Sequence, residues 1–234
     1  MDEVTVSVVE GHGRTTRDLN EEIRSLISRG HRDLEVRHPG ARHSLAVGIL
    51  EPARISFKGS VGYFCAALSA GLDVSIDGDA GWSLAADMMD GRVVCNGNSG
   101  SSTAASVRGG LVLVKGNAGA RTAIALRGGT VIVGGDSGYM TGFMMQKGRL
   151  VVCGDVGEAF GDSMYRGQLF CGGEIADLGS DAILEQPDEE DLVWLEGVLD
   201  PFRLGPKGEW KKVRSGEKLW RYDRKEFAIW KHAL

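Results

Sequence analysis

The sequence lacks most of the features that mark specialised chains. Four cysteines are scattered through 234 residues with no CxxC spacing, which argues against a structural zinc site and suits a reducing cytoplasm. No apolar run approaches the roughly 18 residues that a membrane span requires. The opening MDEVTVSVVEGHGR has an acidic start and no apolar centre, unlike a secretory signal. Positive charge is in deficit, with 27 Lys and Arg against 32 Asp and Glu and a formal net charge of −5, so nucleic acid is a poor candidate partner. Also missing is any Ser-His-Asp constellation, or a His placed beside a Cys to activate it as a nucleophile.

Glycine, by contrast, is abundant. Its 35 copies are about twice the usual share, and the excess is periodic. A G-x-x-G unit begins at Gly59, Gly78, Gly97, Gly116, Gly135 and Gly154, and a degenerate copy (GEIA) begins at Gly173, each 19 residues after the last. A further glycine follows thirteen positions later in most copies, at Gly91, Gly110, Gly129, Gly148 and Gly167. The columns of this repeat have distinct characters. Four and two residues before the first glycine stand apolar side chains such as Val112 and Val114, alternate positions of a short strand with one buried face. Ten residues after it stand Met88, Val107, Leu126 and Met145, a second apolar column. Seven after it only small residues occur, among them Ala66, Ala85, Ala104 and Gly142. A 19-residue unit cannot close a sheet alone. Stacked, the units pair with neighbours about 4.8 Å away around one continuous core. The pattern therefore predicts an all-β parallel β-helix of about seven turns, with the glycines expected to supply positive φ at its corners.

An open coil exposes core and strand edges at both ends, so caps are expected. At the front, Val4, Val6 and Val8 alternate as a strand. TTRDLNEEIRSLISRG then reads as a helix with Thr16 as N-cap, an apolar stripe at Leu19, Ile23, Leu26 and Ile27, and Gly30 at its end. Strand-like segments follow at 34–36 and 45–47. At the far end, residues 188–199 read as a helix whose Leu192, Trp194, Leu195 and Leu199 would cover the last coil. Residues 201–234 contain ten Lys or Arg against four Asp or Glu. That makes a basic tail on an acidic body, too aromatic for a disordered one. Trp220, Arg221, Tyr222, Arg224, Phe227 and Trp230 offer the residue types most enriched at interface hot spots, so residues 206–234 are a candidate docking arm. The competing reading wraps the tail along the acidic face of its own coil.

One column has the look of chemistry. The residue after the first glycine is Ser60, Asp79, Asn98, Asn117, Asp136, Asp155 and Glu174. Stacking would set Asp136, Asp155 and Glu174 roughly 5 Å apart, close enough to bind Ca²⁺ or act as an acid pair. The Ser and Asn members of the same column favour a turn role instead, with side chains accepting backbone hydrogen bonds. Cys95 and Cys171 are expected to fill the core. His31, His38 and His43 lie loosely among Arg32, Arg37 and Arg42 without metal-ligand spacing.

The 19-residue coil with its downstream glycine resembles the GXGXG β-helix domain at the C-terminal end of the glutamate synthase large subunit, and the C subunit of formylmethanofuran dehydrogenase carries the same repeat. The resemblance covers residues 55–180, and TTRDLNEEI is similar to the family's opening segment. It implies a right-handed coil. A stand-alone β-helix chain of this length is also similar to the small subunit of the N-methylglutamate synthases, and the ending GEWKKVRSGEKLWRYDRKEFAIWKHAL resembles theirs. There the glutamate synthase chain is split into a class II glutamine amidotransferase-like subunit, the β-helix and an FMN-binding barrel. The resemblance thus implies a cytoplasmic hetero-oligomer that exchanges ammonia for methylamine on glutamate. FMN, with an iron–sulfur cluster as a further candidate, would sit on a partner subunit, and no catalytic, cofactor or metal residue would lie on this chain. The implied organisation is a cap over 1–54, the β-helix over 55–182 and a cap helix with docking tail over 183–234. Two alternatives stay open: a C-type subunit of a formylmethanofuran-type complex, and a stand-alone carbohydrate-acting β-helix, which the strict period leaves without room for substrate-binding loops.

Overall fold

The computed structural model describes residues 6–218. It is a parallel β-helix. Seven strands succeed one another at the repeat: β3 (Ala53–Lys58), β4 (Ala70–Ile76), β5 (Asp90–Cys95), β6 (Leu111–Val114), β7 (Thr130–Val133), β8 (Arg149–Val152) and β9 (Gln168–Cys171). They follow β1 (Ser7–Glu10) and β2 (Asp33–Arg37). The register from β3 to β9 holds the 19-residue step, with Ile55, Val74, Val93, Val112, Val131, Leu150 and Leu169 aligned in one row. Val112, Val114 and Val131 are fully buried, as are Met88, Val107, Leu126 and Met145 of the second column. Both apolar columns therefore line one interior.

The front cap is α1 (Thr16–Ser28), whose Leu19, Ile23, Leu26 and Ile27 join the coil's core. Its N-cap is Thr15, one residue earlier than the sequence suggests, because Asp18 at N3 closes a capping box with it. Asn20 fastens the helix to the first turn, donating to Ser44 O and accepting from Ala46 N, both at 2.8 Å. In β1 the inward residue is Val9, while Val6 and Val8 are exposed. The expected strand at 45–47 is instead a turn, with positive φ at Ser44 and Ala46.

That turn is the first course of a second wall of the coil, built from turns instead of strands. After each G-x-x-G unit the backbone enters the left-handed region at every second residue; Ser83, Ala85 and Asp87 have φ of 58°, 55° and 55°. The alternation points successive N–H groups up and down the stack. Ser83 N donates to Ser101 O in the next coil, Ala85 N to Cys65 O in the previous one, and Asp87 N to Ala105 O in the next again. Hydrogen bonds in both directions hold a conformation that a non-glycine residue rarely adopts alone. The small-residue column occupies buried, left-handed positions of this wall, which explains its restriction.

The far end departs most from expectation. Helix α2 (Glu189–Leu199), N-capped by Asp188 in a capping box with Asp191, does not cover the last coil. It lies on the outer face of the sheet, where Leu195 and Leu199 pack on Val94, Leu113, Ile132, Val151 and Phe170. The reason is a change within one column. Three residues before the first glycine, Ser56 and Ser75 give way to Val94 and its four apolar successors, so the outer face becomes apolar from β5 onward and needs a cover. Leu192 remains exposed. The end of the coil is closed by β11 (Lys211–Ser215), which pairs antiparallel with β9, and β10 (Ala182–Glu185) pairs with β11 in turn. Val213 of β11 is fully buried. A largely buried ion pair, Lys212 Nζ to Asp191 Oδ2 at 2.5 Å, ties β11 to the first turn of α2.

Candidate interaction wall and carboxylate ladder

The carboxylate column forms a ladder, and the structure shows what its oxygens do. Each side chain accepts from the backbone N–H of its counterpart one coil on: Asn98 N to Asp79 Oδ1, Asn117 N to Asn98 Oδ1, Asp136 N to Asn117 Oδ1, Asp155 N to Asp136 Oδ1 and Glu174 N to Asp155 Oδ1, at 2.7–2.9 Å. These oxygens also explain the repeat's first glycine. At Gly97 a Cβ would stand 2.7 Å from Gly78 O and closer still to Asp79 Oδ1. Close approach selects glycine there, and the φ is ordinary; the positive φ expected at the corners belongs to the downstream glycine, as at Gly110.

The second oxygen of Asp155 accepts from Lys207 Nζ at 2.6 Å, and Lys211 Nζ reaches Gly173 O at 2.6 Å and Glu174 Oε1 at 3.4 Å. Lysines from beyond Pro201 thus neutralise the acidic end of the ladder. The hydrogen bond from Lys207, then that from Glu174 N, hold the Asp155 carboxyl below the usual carboxylate range. Its contribution to stability is complete above the ordinary carboxylate pKa and is lost as the pH falls through the lowered value. Asp155→Asn keeps the ladder acceptor and loses only an exposed ion pair, so its melting temperature should shift by no more than about 4 °C. A thermal melt checks this. Asp155→Leu, which removes the acceptor, should melt lower than Asp155→Asn.

The other candidates stay apart. His31 Nδ1 meets Ser7 Oγ at 2.7 Å, His38 Nδ1 meets Glu10 Oε1 at 2.7 Å, and His43 Nδ1 accepts from Tyr63 N at 2.9 Å. Among the described residues no group of three or more His, Cys, Asp or Glu is placed to hold a metal, and no helix is long and apolar enough to cross a membrane. All four cysteines are buried, with Cys171 in the coil interior and Cys153 under the outer cover. Burial pushes the thiols of Cys95 up to about 11 and Cys153 up to about 12, and Cys65 and Cys171 also upward, away from nucleophilic use. Of the basic tail, residues up to Lys218 belong to the fold: Phe202, Leu204 and Trp210 pack on the outer cluster and β11 is a sheet strand. This part of the tail lies against its own coil, with Lys207 and Lys211 on the acidic end of the ladder. Trp220, Arg221, Tyr222, Arg224, Phe227 and Trp230 lie outside the described residues.

What sequence reasoning missed is the outer surface of the turn wall. Among the described residues fifteen large apolar side chains are exposed, and nine of them stand on this wall: Leu50, Tyr63, Phe64, Leu68, Trp82, Met89, Tyr139, Met144 and Tyr165. His43, Tyr63 and Trp82 stack face to face up the coils, with centroids 4.3 and 5.2 Å apart, and the Arg121 guanidinium sits 5.7 Å from the Tyr139 ring centre. Exposed apolar surface gathered on one face is the kind of surface that partners or ligands cover. The signal was legible in the columns four, nine and eleven places after the first glycine, where large apolar residues recur outside the core positions.

No family model matches the chain. Protein GlxC of Rhizobium meliloti (strain 1021) is 43% identical to it over 65 residues, a stretch that covers 26% of this chain and 28% of that protein.

Proposed function

We propose that this chain is the non-catalytic β-helix subunit of a glutamate-synthase-like enzyme assembly, and specifically of an N-methylglutamate synthase, which converts glutamate and methylamine to N-methylglutamate and ammonia. The observation that carries the reading is the turn wall. A rigid coil built to one strict period concentrates its exposed apolar side chains on a single face, as a subunit held between others would. The resemblance of the 19-residue repeat supplies the kind of assembly. In it, a glutamine amidotransferase-like subunit and an FMN-binding glutamate-synthase-like subunit, with an iron–sulfur cluster as a further candidate there, perform the chemistry. The polar column that most resembles a site is occupied by coil-to-coil hydrogen bonds, which supports an architectural role.

Purification of the full chain from its source organism tests this. The expected preparation contains an amidotransferase-like and a flavin subunit, with FMN in stoichiometric amount, and forms N-methylglutamate from glutamate and methylamine. The chain by itself is expected to be colourless and inert. Turnover of glutamine or methylamine by the isolated chain, or flavin retained on it, would overturn the proposal.

A further inference from the structure

We infer that the middle of the turn wall seats one acidic, amphipathic α-helix of a partner subunit. This rests on the assembly reading and adds the face and the chemistry of the contact. The wall is apolar and raised at Trp82 and Met89, and again at Tyr139 and Met144. Between them the coils that begin at Gly97 and Gly116 place Ser101 and Ala120 in the column of Trp82 and Tyr139, and Ser106 and Ala125 in that of Met144, while Arg108 and Arg127 take the column of Met89. Trp82 and Tyr139, 56% and 45% exposed, stand three coils apart, or about 14 Å. A helix with its side chains is about 10 Å across. One helix lying along the wall fits the step, its apolar side chains against the aromatic shoulders and its backbone brought close by the small floor.

Charge selects the partner. Residues 101–127 hold Arg108, Arg121 and Arg127 on the wall and not one Asp or Glu, in a chain of net charge −5; the remaining cation, Lys115, shares the sheet-side column of Lys58. The ion pairs of the described residues all lie elsewhere. A basic floor without acids of its own favours carboxylates on the incoming helix. A second copy presenting the same wall would bring arginine to arginine. Residues 219–234 carry four Lys or Arg against two Asp or Glu, so they too are repelled.

The experiment replaces Ala120 with the photo-crosslinking residue p-benzoylphenylalanine in the full chain, expressed in its source organism, and identifies the crosslinked peptide by mass spectrometry. The expected adduct joins position 120 to a helical segment of another subunit with more Asp and Glu than Lys and Arg. In parallel, Arg108→Glu with Arg127→Glu should lower the co-purifying partner at least tenfold, while Arg54→Glu with Lys58→Glu on the outer sheet face leaves it unchanged. An adduct to a second copy, to residues 219–234 or to a basic segment would overturn the inference, and so would full retention of the partner by the wall variant. The two readings fail separately. A flavin subunit that co-purifies without any adduct at position 120 sinks this inference and leaves the assembly. An adduct to an acidic helix of a protein lacking flavin sinks the glutamate-synthase-like assembly and leaves this one.

Discussion

Gly110→Val should abolish the cooperative fold. Gly110 has a φ of +79°, and a Cβ there would lie 2.7 Å from Gly91 N and closer still to Gly91 O. Two costs coincide. A β-branched residue in the left-handed region carries about 1–3 kcal/mol of strain. The overlap is with backbone, which no rotamer change relieves. Gly110 cannot drift away, because Thr130 N donates to its carbonyl at 2.9 Å and the strand that follows is in register with β5 on one side and β7 on the other. The total is at least ~4 kcal/mol, a large part of the stability of an ordinary domain. Soluble yield and a circular-dichroism melt read it directly. Gly197 in α2 is the matched control: nothing lies within 4 Å of a Cβ there, so Gly197→Ala should raise stability by up to ~1 kcal/mol through helix propensity. A Gly110→Val chain that melted within a few degrees of the parent would contradict the stacking of these coils.

A chain ending at Gly205 should fail to accumulate as soluble monomer, whereas one ending at Lys218 should melt as a single sharp transition. The shorter chain loses β11. That uncovers the edge of β9 and takes Val213 out of the core. It also removes Lys212, leaving Asp191, which is 5% exposed, with a buried carboxylate and no cation; breaking such a pair from one side costs about 3–5 kcal/mol. Trp210 leaves the outer cluster as well. An unpaired strand edge beside exposed core is a template for aggregation. Size-exclusion chromatography with light scattering separates the outcomes. If both truncations stayed monomeric and folded, β11 would not be the closing element.

The two expected results mark different depths of legibility. The interior was readable because a coil repeats. Any position that must be apolar in one turn must be apolar in all, so Val112, Val131 and Leu150 announce themselves as a column without any knowledge of the fold. The ladder's structural role was readable for the same reason, since Ser60 and Asn98 in the column already favour hydrogen bonding over acid chemistry. The cause of the first glycine was not. Its neighbour Asp79 is one coil away in space and 18 residues away in sequence, and only the stacking distance reveals that the carboxylate oxygen claims the room a Cβ would need.

The sequence by itself determined the period, the buried columns, both helices and the all-β class, because each rests on periodicity or on local capping chemistry. Tertiary structure decided everything that depends on which surfaces meet. It placed α2 on the outer face, since only the assembled sheet shows that Val94 to Phe170 form one apolar strip. It made part of the basic tail a closing strand, since the last coil offers an unpaired edge and a cluster of acids for lysines to meet. It also gathered residues from Leu50 to Tyr165 onto one wall. A repeat aligns such residues in register, but whether a register position faces the core, a cover or open solvent is set by the turn of the coil and by what the rest of the chain leaves bare.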